Sequence, residues 1–158
     1  VPGEILTKGP NVLLGYYKNE EATRQVLDAD GWFHTGDLGT MDADQNIYIK
    51  GRSKNMLLGS NGQNIYPEEI EDKLNSLPLV SECLVVQRGE KLVGLVYPDL
   101  EEAKELGLND ADIKNLMEEN RKKLNELTPA YCKLSDIEIL NEEFIKTPKR
   151  SIKRYLYK

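Results

Sequence analysis

The chain reads as an α+β protein: a small three-stranded sheet with helices plus a β-hairpin over residues 52–158, preceded by a β-rich flank over residues 1–51. Three observations predict this. Short runs rich in β-branched, aromatic or alternating apolar residues recur at 32–35, 47–49, 56–58, 83–86, 92–97 and 136–140. Helical spacing of apolar residues appears in the second part, at Ile70, Leu74 and Leu77 and again at Ile113, Leu116, Met117, Leu124 and Leu127. Counted from 47–49, these signals fall in the order β-β-α-β-β-α-β, which suggests a compact α+β domain from about Arg52 onward.

Taken in order, the flank begins with the apolar run Glu4-Ile5-Leu6-Thr7, broken by Gly9-Pro10. Asn19 can cap a short helix that starts Glu20-Glu21-Ala22, with Ala22 and Val26 on one stripe and Asp30-Gly31 as its stop. Residues 32–49 are hairpin material around the turn cluster Asp42-Ala43-Asp44-Gln45-Asn46. Met56-Leu57-Leu58 is a short strand running into the loop Gly59-Ser60-Asn61-Gly62. Pro67 suits the first turn of a helix, Glu68 and Glu69 suit its positive end, and Pro78 stops it. Two strands joined by Arg88-Gly89-Glu90 follow, then a longer helix capped by Asn109, then a last strand. No internal repeat or low-complexity segment interrupts this order.

Composition narrows the function classes. At 158 residues, 39% hydrophobic and 30% charged, the chain can bury a core without staples. No apolar run reaches the roughly 20 residues that span a bilayer, and Val1-Pro2-Gly3-Glu4 does not open a signal peptide. The lack of an initiator Met suggests a piece of a longer chain. The net charge of −6 argues against nucleic acid as partner. The charge is uneven, however. Lys146, Lys149, Arg150, Lys153, Arg154 and Lys158 fall in the last fourteen residues with no acid among them, leaving −12 on the rest. Such a run is either a solvated, frayed tail or a strand that meets a polyanion. Cys83 and Cys132 each lie in an apolar stretch, which favours two buried free thiols in a reducing compartment over a disulfide. With His34 the only histidine there is no Cys/His cluster, and no metal site is expected.

Several residues carry possible chemistry. Asp37 follows Gly36 at a turn beside a strand; its carboxylate can accept two hydrogen bonds from a ribose diol, or it forms an Asx turn. Arg52 offers a permanently charged fork of donors, or a surface ion pair. Gly59 and Gly62 flank Ser60-Asn61 in a loop that permits positive φ and close approach to a ligand, or simply turns a hairpin. His34 either packs with Trp32 and Phe33 or stands near a nucleotide.

Three segments in register resemble the adenylate-forming superfamily of acyl-CoA synthetases, peptide-synthetase adenylation domains and luciferases. Gly31-Trp32-Phe33-His34-Thr35-Gly36-Asp37-Leu38-Gly39 resembles the G-W-[FYL]-x-T-G-D-[LIV]-[GA] signature. Ile49-Lys50-Gly51-Arg52-Ser53-Lys54-Asn55, followed by Gly59 to Glu71, resembles the hinge and the G-x-x-[IV]-x-P-x-E-[IVL]-E stretch. Lys146 to Arg154 lies near the place of the terminal P-K-T-x-x-G-K-[IV] motif. Gly3-Glu4-Ile5, Gly9-Pro10 and Gly15-Tyr16 resemble the segment before the first signature.

The resemblance implies that residues 1–51 end an N-terminal AMP-binding domain and that residues 52–158 form the C-terminal cap of an acyl-CoA ligase. It implies an AMP-forming acid–thiol ligase that uses ATP and CoA with Mg²⁺, most like long-chain fatty-acid ligases through residues 62–69 and 152–156. An acyl-carrier-protein ligase, a peptide-synthetase module, or a non-catalytic binding module using the basic tail are the alternatives. Asp37 takes the ribose-binding place, Arg52 a place near the nucleotide, Lys54 the hinge, and Gly59, Ser60, Asn61 and Gly62 the pantetheine tunnel. The family's adenylation lysine falls on Ser151 and its glycine on Arg150; Lys149 and Lys153, two residues either side, are the substitutes, sharing Ser151's face on an extended segment. The phosphate loop, the Mg²⁺ ligands and the fatty-acyl pocket lie earlier in the family's chain, so this piece alone is expected to be inactive. Its partners are then the fatty acid, ATP, CoA and the N-terminal domain of the same chain. The resemblance allows peripheral membrane contact and implies a cytoplasmic location.

Overall fold

The computed structural model describes residues 1–157. It divides into two compact units, Val1–Met56 and the remainder from Leu57. That division lies five residues beyond the 51/52 boundary expected from the sequence.

In the first unit, strands β1 (Gly3–Thr7), β2 (Phe33–Met41) and β3 (Ile47–Arg52) form one antiparallel sheet in that order. Helix α1 (Glu20–Val26) precedes β2 and is capped by Asn19, whose side chain accepts from Ala22 N at 3.0 Å. Asp28 then turns the chain, its Oδ1 accepting from Asp30 N and Trp32 N. β2 runs six residues past the strand expected at 32–35, so Gly36 and Asp37 belong to a strand and not to a free turn. The unit carries no fully buried hydrophobic side chain among the described residues, and Ile47, Tyr48 and Ile49 of β3 are all exposed. A three-residue 3₁₀ turn, Ser53–Asn55, closes it.

In the second unit, β4 (Leu57–Leu58) and β5 (Asn64–Ile65) make a small hairpin. Helix α2 (Pro67–Asn75) follows, with Pro67 in its first turn as expected. The main sheet has the order β6 (Val80–Arg88), β7 (Lys91–Pro98), β8 (Leu134–Ile139); the first pair is antiparallel and the second parallel. Helices α3 (Leu100–Glu105) and α4 (Asp110–Leu127) supply the crossover that a parallel pair requires. α4 starts on a capping box in which Asn109 and Asp112 satisfy each other's backbone N–H groups.

Alternation along β6 and β7 sends side chains to both faces, and both are covered. Cys83, Val85, Leu92 and Val96 meet Ile70 and Leu74 of α2 and Ile113, Met117 and Leu124 of α4. Leu84, Val86, Val93 and Leu95 meet Phe144, with Ile152 and Tyr157 packed against them. Each such fully buried aliphatic side chain is worth about 1.5–3 kcal/mol. Gly94 sits where a Cβ would lie 2.9 Å from Leu134 Cδ1 and 3.3 Å from Leu74 Cδ2, so its lack of a side chain lets a helix and a strand close on β7. The α+β architecture with a three-stranded sheet and a hairpin agrees with expectation.

The basic run is not a frayed tail. Phe144 stacks edge-on against Tyr157 at 5.0 Å, Tyr157 Oη accepts from Ile145 N, and Lys146 bridges to Ile152. The segment therefore returns on itself and seals the second face of the sheet. Lys158, the last cation of that run, lies outside the described residues. Cys83 and Cys132 are both buried and free, as expected, and burial pushes both thiols up. No helix among the described residues is long and apolar enough to cross a membrane.

Candidate functional site

In the first unit a cavity of about 590 Å³ is lined by Thr35, Gly36 and Asp37 of β2, Arg52 of β3, Lys54 of the 3₁₀ turn, and Glu4 and His34. Strand pairing sets Asp37 directly across from Arg52. The Arg52 guanidinium donates to Asp37 Oδ1 at 2.6 Å and to the Thr35 carbonyl at 3.0 Å. Asp37 is thus a strand residue in a charge-assisted pair rather than the acceptor of an Asx turn. The sequence places Gly36 before it for a reason: its φ of +72° is a conformation that costs other residues strain.

His34 meets two carboxylates. Its Nδ1 lies 2.9 Å from Glu4 Oε2, and its Nε2 lies 3.8 Å from Asp28 Oδ2. The Glu4 hydrogen bond, aided by the two carboxylate charges, raises the imidazole above its ordinary value. The same bond, with the Gly36 N–H, lowers Glu4. Glu4 was not singled out as a site residue. Its only signal in sequence is its place in Gly3-Glu4-Ile5, thirty residues from His34.

In the second unit Gly59, Ser60 and Asn61 line a cavity of about 680 Å³ together with Lys91, Arg121 and Lys133. The loop is also a hairpin turn: Gly59 N donates to Gln63 O at 2.8 Å and Gly62, at φ +74°, donates to Gly59 O at 2.9 Å. The loop therefore turns the β4–β5 hairpin, one of the two alternatives that the sequence leaves open. Gly62 does not line the cavity.

Lys149 and Lys153 line neither cavity. They stand on the hairpin that Lys146 and Ile152 close, with Thr147 N donating to Ser151 O at 2.8 Å. Pro148 and Lys149 form its turn, so the expectation that Lys149 and Ser151 share one face of an extended segment fails. Arg150, standing where the terminal motif has its glycine, adopts φ +61°. Among the described residues no group of three or more His, Cys, Asp or Glu side chains is placed to hold a metal ion.

The first unit thus carries a cavity of about 590 Å³ walled by a carboxylate–guanidinium pair, and a 3₁₀ turn and a small α+β unit follow it in the chain. Residues 54–157 match the family model described as the AMP-binding enzyme C-terminal domain, and the chain belongs to that family. The chain is 48% identical over 96 residues to a 2-succinylbenzoate–CoA ligase of Bacillus cytotoxicus, covering 61% of this chain and 20% of that one. It is 48% identical over 84 residues to a feruloyl-CoA synthase of an Amycolatopsis species, covering 53% and 17%. The fold superposes on the crystal structure of the anthranilate CoA ligase AuaEII in complex with anthranoyl-AMP with a TM-score of 0.81 and 26% identity, over 99% of this chain and 28% of that one. The chain spans about a fifth of the length of the curated relatives it matches.

Proposed function

We propose that this chain is the C-terminal portion of an AMP-forming acid–CoA ligase. Such an enzyme joins a carboxylate to the α-phosphate of ATP, releasing pyrophosphate, and then passes the acyl group from the adenylate to the CoA thiol, releasing AMP. The observation that carries the reading is the Asp37–Arg52 pair on the cavity wall, in a chain of the AMP-binding family. Asp37 would accept hydrogen bonds from the ribose hydroxyls, and Arg52 would hold that carboxylate in place while presenting positive charge toward the phosphate. Mg²⁺ would be carried by residues outside the 158 described by this sequence. The exposed apolar strand β3 supports the reading of residues 1–51 as the edge of a larger N-terminal body.

Two further roles follow. The Gly59-Ser60-Asn61 loop, with Gly62 as its turn, would border the pantetheine arm of CoA, and Lys54 would be the hinge. Of the two tail cations, Lys153 is the better substitute for the missing lysine. It lies two residues past Ser151 beyond the Ile152 bridge, on the same side by strand alternation, whereas Lys149 lies in the turn. A lysine there would stabilise charge on the carboxylate and α-phosphate as the adenylate forms.

The acid has two candidate classes. Residues 62–69 and 152–156 support a long-chain fatty acid by resemblance, and the names of the relatives support a carboxylic acid that carries an aromatic ring. The sequence match is the stronger support, and such aromatic acids are the first choice. The test uses the whole natural chain that contains these residues. Asp37→Ala should weaken AMP binding by about 1.5–3 kcal/mol, roughly 10- to 150-fold, in isothermal titration. Unchanged affinity in a folded variant would return Asp37 to a structural role. Pyrophosphate exchange with ferulate, 2-succinylbenzoate and palmitate in parallel sorts the acid class, and exchange with palmitate alone would reverse our choice.

A further inference from the structure

The segment Thr35-Gly36-Asp37 lies where the β1–β2 ladder breaks. Glu4 pairs with Leu38 and Leu6 with His34, so Ile5 alone faces three residues of β2. A bulge of this kind leaves backbone groups outside the ladder, and they need other partners. Side chains supply them. Thr35 Oγ1 donates to Ile5 O at 2.7 Å and accepts from Asp37 N at 3.0 Å. Gly36 N donates to Glu4 Oε1 at 3.1 Å, while the other Glu4 oxygen meets His34 Nδ1 at 2.9 Å.

We infer that Glu4 is a positioning residue for the nucleotide site: its two carboxylate oxygens clasp the His34 imidazole and the Gly36 N–H, and so hold the bulge in the one conformation that presents Asp37 to the cavity. The inference rests on the nucleotide-binding reading of Asp37. The charged groups around the imidazole are Glu4 of β1 and Asp28 of the turn after α1. Asp37, Arg52 and Lys54 line the same cavity. The clasp is strongest while His34 is protonated. As pH rises through the raised value of the imidazole, the charge is lost and only a neutral hydrogen bond remains. AMP affinity should therefore fall across that rise.

The experiment is carried out on the whole natural chain with three variants, Glu4→Gln, His34→Gln and Asp37→Ala. The His34 resonance is identified as the imidazole signal missing from His34→Gln. AMP is titrated calorimetrically at about pH 6 and about pH 8.5, on either side of the ordinary histidine value. Glu4→Gln should lower the His34 titration toward about 6.5, weaken AMP about tenfold near pH 6, and flatten the pH profile. His34→Gln should flatten the profile with a smaller loss, because Glu4 keeps its bond to Gly36. Full AMP affinity with an unchanged pH profile in both variants, while Asp37→Ala weakens binding, overturns the inference and leaves the nucleotide reading standing. No effect of Asp37→Ala overturns the nucleotide reading, and the inference with it.

Discussion

At the scale of single residues, the second unit turns on Glu71. It is 8% exposed, in α2, and its Oε1 accepts from Val85 N at 2.7 Å. Its Oε2 is held by Arg154, eighty-three residues on, so one carboxylate ties a helix, the central sheet and the tail. Burial raises Glu71 above its ordinary value of 4.5, and the Arg154 charge and the Val85 N–H pull it back only in part. The sign of the linkage follows. The folded state holds the proton more firmly than the unfolded state, so this group's contribution to stability falls as pH rises from about 4.5 through the raised value. Glu71→Gln keeps the acceptor for Val85 and should remove that slope from urea-unfolding data taken across acid pH. An unchanged slope would assign the pH dependence to another group. Glu71→Ala leaves Arg154 without its buried partner and Val85 N–H without an acceptor, and should cost about 3–5 kcal/mol at neutral pH.

At the scale of elements, the tail hairpin shows how local rules and long-range packing combine. Lys146 is anchored by Glu82, whose hydrogen bond raises its ammonium, and Glu143 lies 3.6 Å away. The turn places Arg150 at φ +61°, a conformation that costs an ordinary residue about 1–2 kcal/mol. Glycine escapes that strain but loses about 0.5–1 kcal/mol more chain entropy on folding. Arg150→Gly should therefore be neutral or stabilise by up to about 1.5 kcal/mol, whereas Arg150→Val, β-branched, should destabilise. Thermal unfolding of the pair decides it; equal melting temperatures would show that the turn relaxes at no cost. The elements were legible in uneven measure. Alternation and turn residues revealed β6 and β7, and apolar spacing with Asn109 revealed α4. Helix α3 was missed because six residues with one buried position, Ala103, make no periodic pattern, although Asp99 before Glu101-Glu102 was a capping signal. The parallel pairing of β8 with β7 has no signature in β8 itself. The same holds at the site. Asp37 and Arg52 were legible as motif residues, but not their pairing, which a strand register created.

At the scale of the whole chain, the two units differ in kind. Among the described residues the buried hydrophobic side chains lie from Ile65 onward, whereas the first unit is a sheet without a core of its own. A linker between such bodies needs few residues with free torsions, and Ser53–Asn55 stands directly before the division at Met56. If Lys54 is the hinge, the two half-reactions would call on it differently: in the proposed function the tail lysine would serve adenylation, and the Gly59–Gly62 loop would serve thioester formation. Proline at 54 fixes φ near −65°, removes a backbone donor and biases Ser53 away from helical torsions. Lys54→Pro in the whole natural chain should leave pyrophosphate exchange largely intact and slow acyl transfer from preformed adenylate to CoA severely. Lys153→Ala should do the reverse, with Lys149→Ala the weaker of the two. Equal loss of both half-reactions in folded Lys54→Pro would remove Lys54 from the hinge. If neither lysine variant slows exchange, the charge that Ser151 cannot supply comes from elsewhere in the enzyme, and the tail serves only to seal the sheet beneath it.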